Sequence, residues 1–148
     1  MNKKFLDMAV AESKKAVDIG QAPFGAVVVQ DGVVVARAHN TVMKKSDPTA
    51  HAEINAIRLA CKKMGTSNLS GCDLYTSCEP CPMCIGAIAW ANISHVYYAA
   101  DKNDTDKIGF SDKRMFDNKC RVNMEHMGNS DAVEIMRNWH ELKSKKKS

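Results

Sequence analysis

His51-Ala52-Glu53 and, further along, Pro80-Cys81-Pro82-Met83-Cys84 constrain the fold more than any other feature of this chain. A His, two Cys and a carboxylate that need not be a ligand are the parts of a hydrolytic zinc site. The donors come from two separate segments, and they converge if two helix starts pack on the same side of a sheet. Cys81 and Cys84 are three apart, a spacing that sets both sulfurs on one face of a helix. In a first turn, unpaired N–H groups and the helix dipole favour thiolates. His51 is expected in the first turn of the preceding helix. Three protein ligands, His51, Cys81 and Cys84, leave the fourth tetrahedral position to water, the catalytic rather than the structural arrangement.

Two thiolates cancel the charge of the metal, so water there loses its proton less readily than at an all-His site. A neighbouring base then matters more, and Glu53, two residues after His51, is the candidate catalytic proton carrier. Each half of the pattern has a plainer reading. A lone CxxC is often a redox pair or half of a structural zinc site, and Cys78 is the nearest candidate for a closing fourth ligand. Cys61, Cys72 and Cys120 lack partner spacing and read as packing residues. His39, His95, His126 and His140 lack ligand spacing and read as structural or exposed.

The chain has 148 residues, 45% of them hydrophobic, which suits one domain over residues 1–148 with one core. No apolar run is long enough to cross a membrane. Asp7, Glu12 and Lys14 interrupt the N-terminal stretch, against a secretory signal. Six cysteines without such a signal are expected to stay reduced, which makes the cytoplasm the expected compartment. The net charge is +4, and the last eight residues, with four Lys and one Glu, hold +3 of it. The remainder is near neutral, so the sequence offers no basic stripe for a nucleic acid. The lysine tail itself reads as a solvated end.

Apolar positions at Phe5, Met8, Ala9, Ala16 and Val17 predict a helix over about Lys3 to Ile19, stopping at Gly20. Phe24 to Gln30 and Val33 to His39 are β-branched runs around Asp31-Gly32, a hairpin signal. Asp47 and Pro48 predict the cap and first residue of a helix that runs to about Met64 and stops at Gly65. Cys72 to Ser77 and Ser94 to Ala100 read as strands, with Arg121 to Met127 a weaker one. Cys81 to Ala91 reads as a short helix and Asp131 to about Lys143 as a terminal one. The alternation predicts an α/β fold: a three-layer α/β/α domain on a mixed five-stranded sheet.

The order H-x-E, then P-C-x-x-C, is the general signature of zinc-dependent base deaminases. Through it the chain resembles the cytidine-deaminase-like superfamily. Asp47-Pro48-Thr49-Ala50-His51-Ala52-Glu53 and Tyr75 to Cys84 most resemble bacterial guanine deaminases. The resemblance covers roughly Phe5 to Phe116. Four features favour this group over tRNA adenosine deaminases: Pro23-Phe24-Gly25, Asn40 followed by Thr41-Val42, Trp90 where those enzymes usually have His, and Gly109-Phe110-Ser111-Asp112.

The resemblance implies a cytoplasmic, Zn2+-dependent hydrolase acting on a cyclic amidine C–N bond, guanine giving xanthine and ammonia. It implies that Phe24 stacks on the purine and that Asn40 bonds the ring edge or carbonyl. The Ala52 N–H would contact the base, Trp90 would shape the pocket wall, and Asp112 would receive the amine and assist its departure. The bland alternatives are a core Phe24, a turn-forming Asn40, a helix-capping Asp112 and a core Trp90. The group also implies a homodimer that exchanges C-terminal segments, here residues 128–148, with a terminal Tyr covering the neighbouring site. This chain departs there, since no aromatic residue follows Trp139. Competing readings are a tRNA adenosine deaminase, a cytosine or nucleoside deaminase, and, from another class, a zinc-stabilised interaction module.

Overall fold

Asp31 and Gly32 close the first hairpin with φ of +50° and +76°. Both central residues of a tight hairpin turn need positive φ, which Asp tolerates and Gly adopts without strain. The hairpin belongs to a computed structural model that describes residues 2–116 and 122–146. The elements run α1 (Lys3–Asp18), β1 (Gly25–Gln30), β2 (Val33–His39), α2 (Val42–Lys45), α3 (Ala52–Met64), β3 (Cys72–Cys78), α4 (Pro82–Trp90), β4 (His95–Ala100), α5 (Lys102–Lys107), α6 (Lys113–Phe116) and α7 (Ser130–Lys146).

The sheet order is β2-β1-β3-β4, with β1 antiparallel to both β2 and β3, and β3 parallel to β4. Alternation along β1 divides the core. Ala26 and Val28 face α3 and α4, where Ala52, Ala56, Ala60, Leu74 and Ile88 complete one cluster. Val27 and Val29 face α1, where Phe5, Ala9 and Tyr75 complete the other. Two clusters on opposite faces make the three layers that the alternation of elements predicts. A bulge keeps both faces in phase: Val28 pairs with Ala36 and Val29 with Val34, leaving Val35 as the extra residue of β2.

Gly25 lets α1 approach the sheet. A Cβ there would run into the Ala9 carbonyl oxygen and lie 2.6 Å from Ser13 N and 2.7 Å from Glu12 Cβ. Glu12 is buried at this crossing and accepts from Arg37 Nε at 3.0 Å and Lys15 Nζ at 3.2 Å, with His39 Nδ1 at 3.3 Å. One carboxylate thus ties α1 to the end of β2.

The structure corrects several expectations. The sheet has four strands among the described residues, not five. Val122 to Met127 form no strand; Arg121, the start of that prediction, and Cys120 lie outside the described residues. Asp47 does not cap α3. Its carboxylate accepts from Thr49 N at 2.8 Å and Thr49 Oγ1 at 2.6 Å, closing a local turn that contains Pro48. The helix therefore starts at Ala52, with His51 as its N-cap. Cys81 likewise caps α4 rather than starting it. The short helices α2 and α5 carry too few residues for a periodic signal. The described part of the C-terminal helix buries none of its side chains.

Candidate active site

His51 and Cys81 occupy the same position on two different helices. Both are N-caps with extended backbone, at φ −67°, ψ 158° and φ −72°, ψ 167°, and neither side chain makes a capping hydrogen bond. Each cap carbonyl starts its helix instead, accepting from Asn55 N and Ile85 N respectively, both at 2.9 Å. The freed side chains meet. His51 Nδ1 lies 3.6 Å from Cys81 Sγ and 3.6 Å from Cys84 Sγ. All three donor atoms lie within 4.8 Å of one another.

This geometry fits zinc. Ligands at about 2.3 Å (sulfur) and 2.0 Å (nitrogen) in a tetrahedron stand roughly 3.6 Å apart. Cys78 does not belong to the cluster; its sulfur lies 3.6 Å from the Glu79 carbonyl oxygen as a weak donor. Among the described residues, therefore, no fourth ligand closes the cluster. A three-donor cluster leaves one tetrahedral position to a reactant.

The charges of the cluster suit a cation. The hydrogen bond from Cys84 lowers the Cys81 thiol to about 4, although burial opposes this. Donating that bond, together with burial, pushes Cys84 upward. The bond to Cys81 raises His51 despite partial burial. The cluster thus shares protons that a divalent cation would displace, the usual behaviour of thiolate and imidazole ligands.

Glu53 follows His51 into the first turn of α3 and is 7% exposed. Burial raises its carboxyl, while a hydrogen bond with Cys84 draws it back towards the ionised form. That bond places the carboxyl against a metal donor. Burial at the end of β3 pushes the Cys78 thiol up to about 12, with smaller contributions from the carboxylates of Glu53, Glu79, Asp112 and Asp104. Glu53 and Asp112 thus both act electrostatically on Cys78.

Of the residues expected to touch a base, Phe24 and the Asp112 segment come together. Phe24 packs edge-on against Phe110, with centroids 5.3 Å apart. Lys102 Nζ lies 3.8 Å from Asp112 Oδ2 and 3.9 Å from Glu79 Oε2, linking that segment to the approach to α4. Asn40 is buried. Its N–H donates to the Phe24 carbonyl at 3.0 Å, and its Oδ1 accepts from Val42 N at 3.0 Å. Ala52 is fully buried at the start of α3. Trp90 stands apart, 88% exposed at the end of α4, neither in the core nor against the cluster. An open cavity of about 560 Å³, lined in part by Val10, Phe24, Cys78, Ala100 and Thr105, lies beside the site, and none of the three metal donors lines it.

Two residues here escaped sequence reasoning. Asn55 and Glu12 are polar, yet each sits on the apolar stripe of its helix, among Ala52, Ala56 and Ala60 in one case and Phe5, Ala9 and Ala16 in the other. A polar side chain on a buried stripe must find partners, and that was the available signal.

Comparison with known proteins agrees with this site. Residues 1–100 match the model of the cytidine and deoxycytidylate deaminase zinc-binding region. The guanine deaminase of Bacillus subtilis is 50% identical over 113 residues, 76% of this chain and 72% of that protein. The X-ray structure of a guanine deaminase from Bacillus subtilis superposes with a TM-score of 0.89 at 40% identity, over 95% of both chains. A structure from a study of tRNA:A34 deaminases superposes at 0.68 and 38% identity, over 86% of this chain and 95% of that one. With its donors, its glutamate and its fold in place, this chain belongs to the cytidine and deoxycytidylate deaminase zinc-binding family.

Proposed function

We propose that the chain is a zinc-dependent hydrolytic deaminase of a free purine base, converting guanine to xanthine and ammonia. The observation that carries this reading is the extent of the likeness. Agreement with the guanine deaminase structure covers 95% of this chain, against 86% at a lower score for the structure from the tRNA:A34 deaminase study. The body outside the lysine-rich C-terminus is also near neutral in net charge, which favours a small base over an RNA substrate.

His51, Cys81 and Cys84 would hold the zinc, which would supply Lewis-acid activation of water. Glu53 is the proton carrier. Its buried carboxyl would take one proton from the attacking water and pass it to the ring nitrogen, then take the remaining hydroxyl proton and deliver it to the amine as the C–N bond breaks. Phe24 offers its ring to the purine face, with Phe110 braced against it. Asn40 already uses Oδ1 on Val42, so it meets the base with its N–H donors, which suits a carbonyl oxygen or ring nitrogen. The Ala52 N–H, in the first turn of α3, has no helical acceptor of its own and serves as a further donor. Asp112, oriented by Lys102, receives the amine.

The active form in this reading is a cytoplasmic homodimer. Residues 128–148 are the segment exchanged between copies. Its helix carries Val133, Ile135, Met136, Trp139 and Leu142 exposed, an apolar load that a second copy would cover. Trp90 would then meet the partner rather than the base. Guanine incubated with zinc-loaded protein should release ammonia catalytically. Release only from another amine would reject guanine and keep the reaction class, while inosine formation in tRNA would favour the tRNA reading.

A further inference from the structure

We infer that Asn55 is a positioning residue: its side-chain amide fixes the substrate-contact turn at Asn40 against the metal-ligand turn at His51. The inference rests on the purine reading above only for the role of Asn40. Asn55 Nδ2 donates to three acceptors, the His39 carbonyl at 2.9 Å, Thr41 Oγ1 at 2.9 Å and the Ala50 carbonyl at 3.3 Å. The first two flank Asn40, and the third precedes the metal ligand His51. The Asn55 backbone N–H donates to the His51 carbonyl at 2.9 Å, and Thr41 N–H closes the same seam by donating to the Ala50 carbonyl at 3.0 Å. One buried residue thus bonds both neighbours of Asn40 and both residues at the entrance to α3.

Its other end explains why the residue is an amide. Asn55 Oδ1 is buried without a hydrogen-bond partner among the described residues. An unpartnered buried acceptor costs free energy and persists only where the donor end does something that an apolar residue cannot. An aliphatic side chain would leave the His39 carbonyl and Thr41 hydroxyl without their buried donor. A carboxylate would set negative charge against three acceptors. The placement of Asn40 relative to His51 is therefore held through this amide, and a misplacement of about 1 Å can cost on the order of 100-fold in rate.

The test uses zinc-loaded, full-length protein. In Asn55→Ala, backbone amide exchange at Asn40 and Thr41 should accelerate by about 10-fold or more, at unchanged zinc content, as expected for a local opening. The KM for guanine should rise, with a kcat/KM loss of about 10- to 100-fold. Adding Asn55→Ala to Asn40→Ala should cost less than about threefold more, because coupled neighbours are not additive. Thr41→Val, which removes one acceptor and leaves the helix intact, should shift exchange at Asn40 in the same direction, and it decides the question if Asn55→Ala does not fold. Unchanged exchange in these variants, or full multiplication of the two activity losses, would overturn the inference. Faster exchange in a chain that deaminates no purine would sustain the clamp and reject the substrate reading.

Discussion

Replacing Glu12 by Gln tests the connection between the outer helix and the strand that leads into the site. Glu12 is only 6% exposed, and it gathers Arg37, Lys15 and His39 at 3.0, 3.2 and 3.3 Å. Gln keeps the shape and one acceptor, but it removes the charge and turns an N–H donor towards groups that also donate. The partners Lys15, Arg37 and His39 are themselves 61%, 35% and 25% exposed and regain water, so the full cost of an orphaned buried ion does not apply. Between exposed pairs, worth up to about 1 kcal/mol each, and a broken buried pair at about 3–5 kcal/mol, the expected loss is about 2–3 kcal/mol.

The pH dependence gives the prediction a second arm. Burial alone would raise Glu12, but hydrogen bonds with His39 and Lys15 and the nearby charges of Lys15 and Arg37 outweigh it and hold the carboxyl below its ordinary 4.5. A depressed carboxyl contributes stability that is complete above its unfolded value and disappears as pH falls through its folded value. Urea unfolding of the wild type and Glu12→Gln should therefore differ by a constant amount near neutrality and converge below about pH 4. Metal release in acid occurs in both proteins and cancels in the difference. Equal midpoints at pH 7, or a gap that widens on acidification, would refute the reasoning.

Gly25→Ala should destabilise the fold by about 3 kcal/mol or more, because the atoms its Cβ meets include helix backbone that cannot rotate away. A loss under about 1 kcal/mol in urea titration would count against so close a crossing. Glu53→Gln should lower kcat/KM by roughly 10²- to 10⁴-fold with zinc content intact, since proton transfer is lost while the donor cluster stays. Activity within about tenfold of the wild type would remove Glu53 from the mechanism. A strong chelator should lower the melting temperature as well as stop ammonia release, and added zinc should restore both, because the ligand binds the folded state. Loss of activity at an unchanged melting temperature would mean that the cluster is not part of the structural framework.

The parts legible in the sequence are those with local causes. Asp31-Gly32 declares its turn by the φ values it can adopt, and the terminal Gly65 of α3 does the same. The metal donors are legible because their spacing and chemistry are both restrictive. Asp47 misled because an Asp before Pro can either cap a helix or close its own turn, and only the Thr49 partners decide between these. α4 is legible as a helix, but which of its faces is buried is not. Its run Pro82 to Trp90 is almost wholly apolar, so no stripe distinguishes the face on Ile88 from the exposed face of Ile85 and Trp90. Asn55 and Glu12 were hidden because their partners include residues of other elements, which helix spacing does not reveal.

The two matched caps also account for the mixed donor set. A helix start carries N–H groups without helical partners and a positive end field, and both features favour anions. Placing Cys81 and Cys84 there favours thiolates, although the lowering of Cys81 comes first from its hydrogen bond with Cys84. A thiolate at position 51 as well would bring a third negative charge against buried Glu53, whose carboxyl burial already raises. A neutral imidazole avoids this. With it, two thiolates balance a divalent cation, and Glu53 remains the one further acidic group bonded into the cluster among the described residues. The imidazole at position 51 thus adds no negative charge beside Glu53, and the nearby His51 charge draws that carboxyl towards the ionised form that takes up a proton.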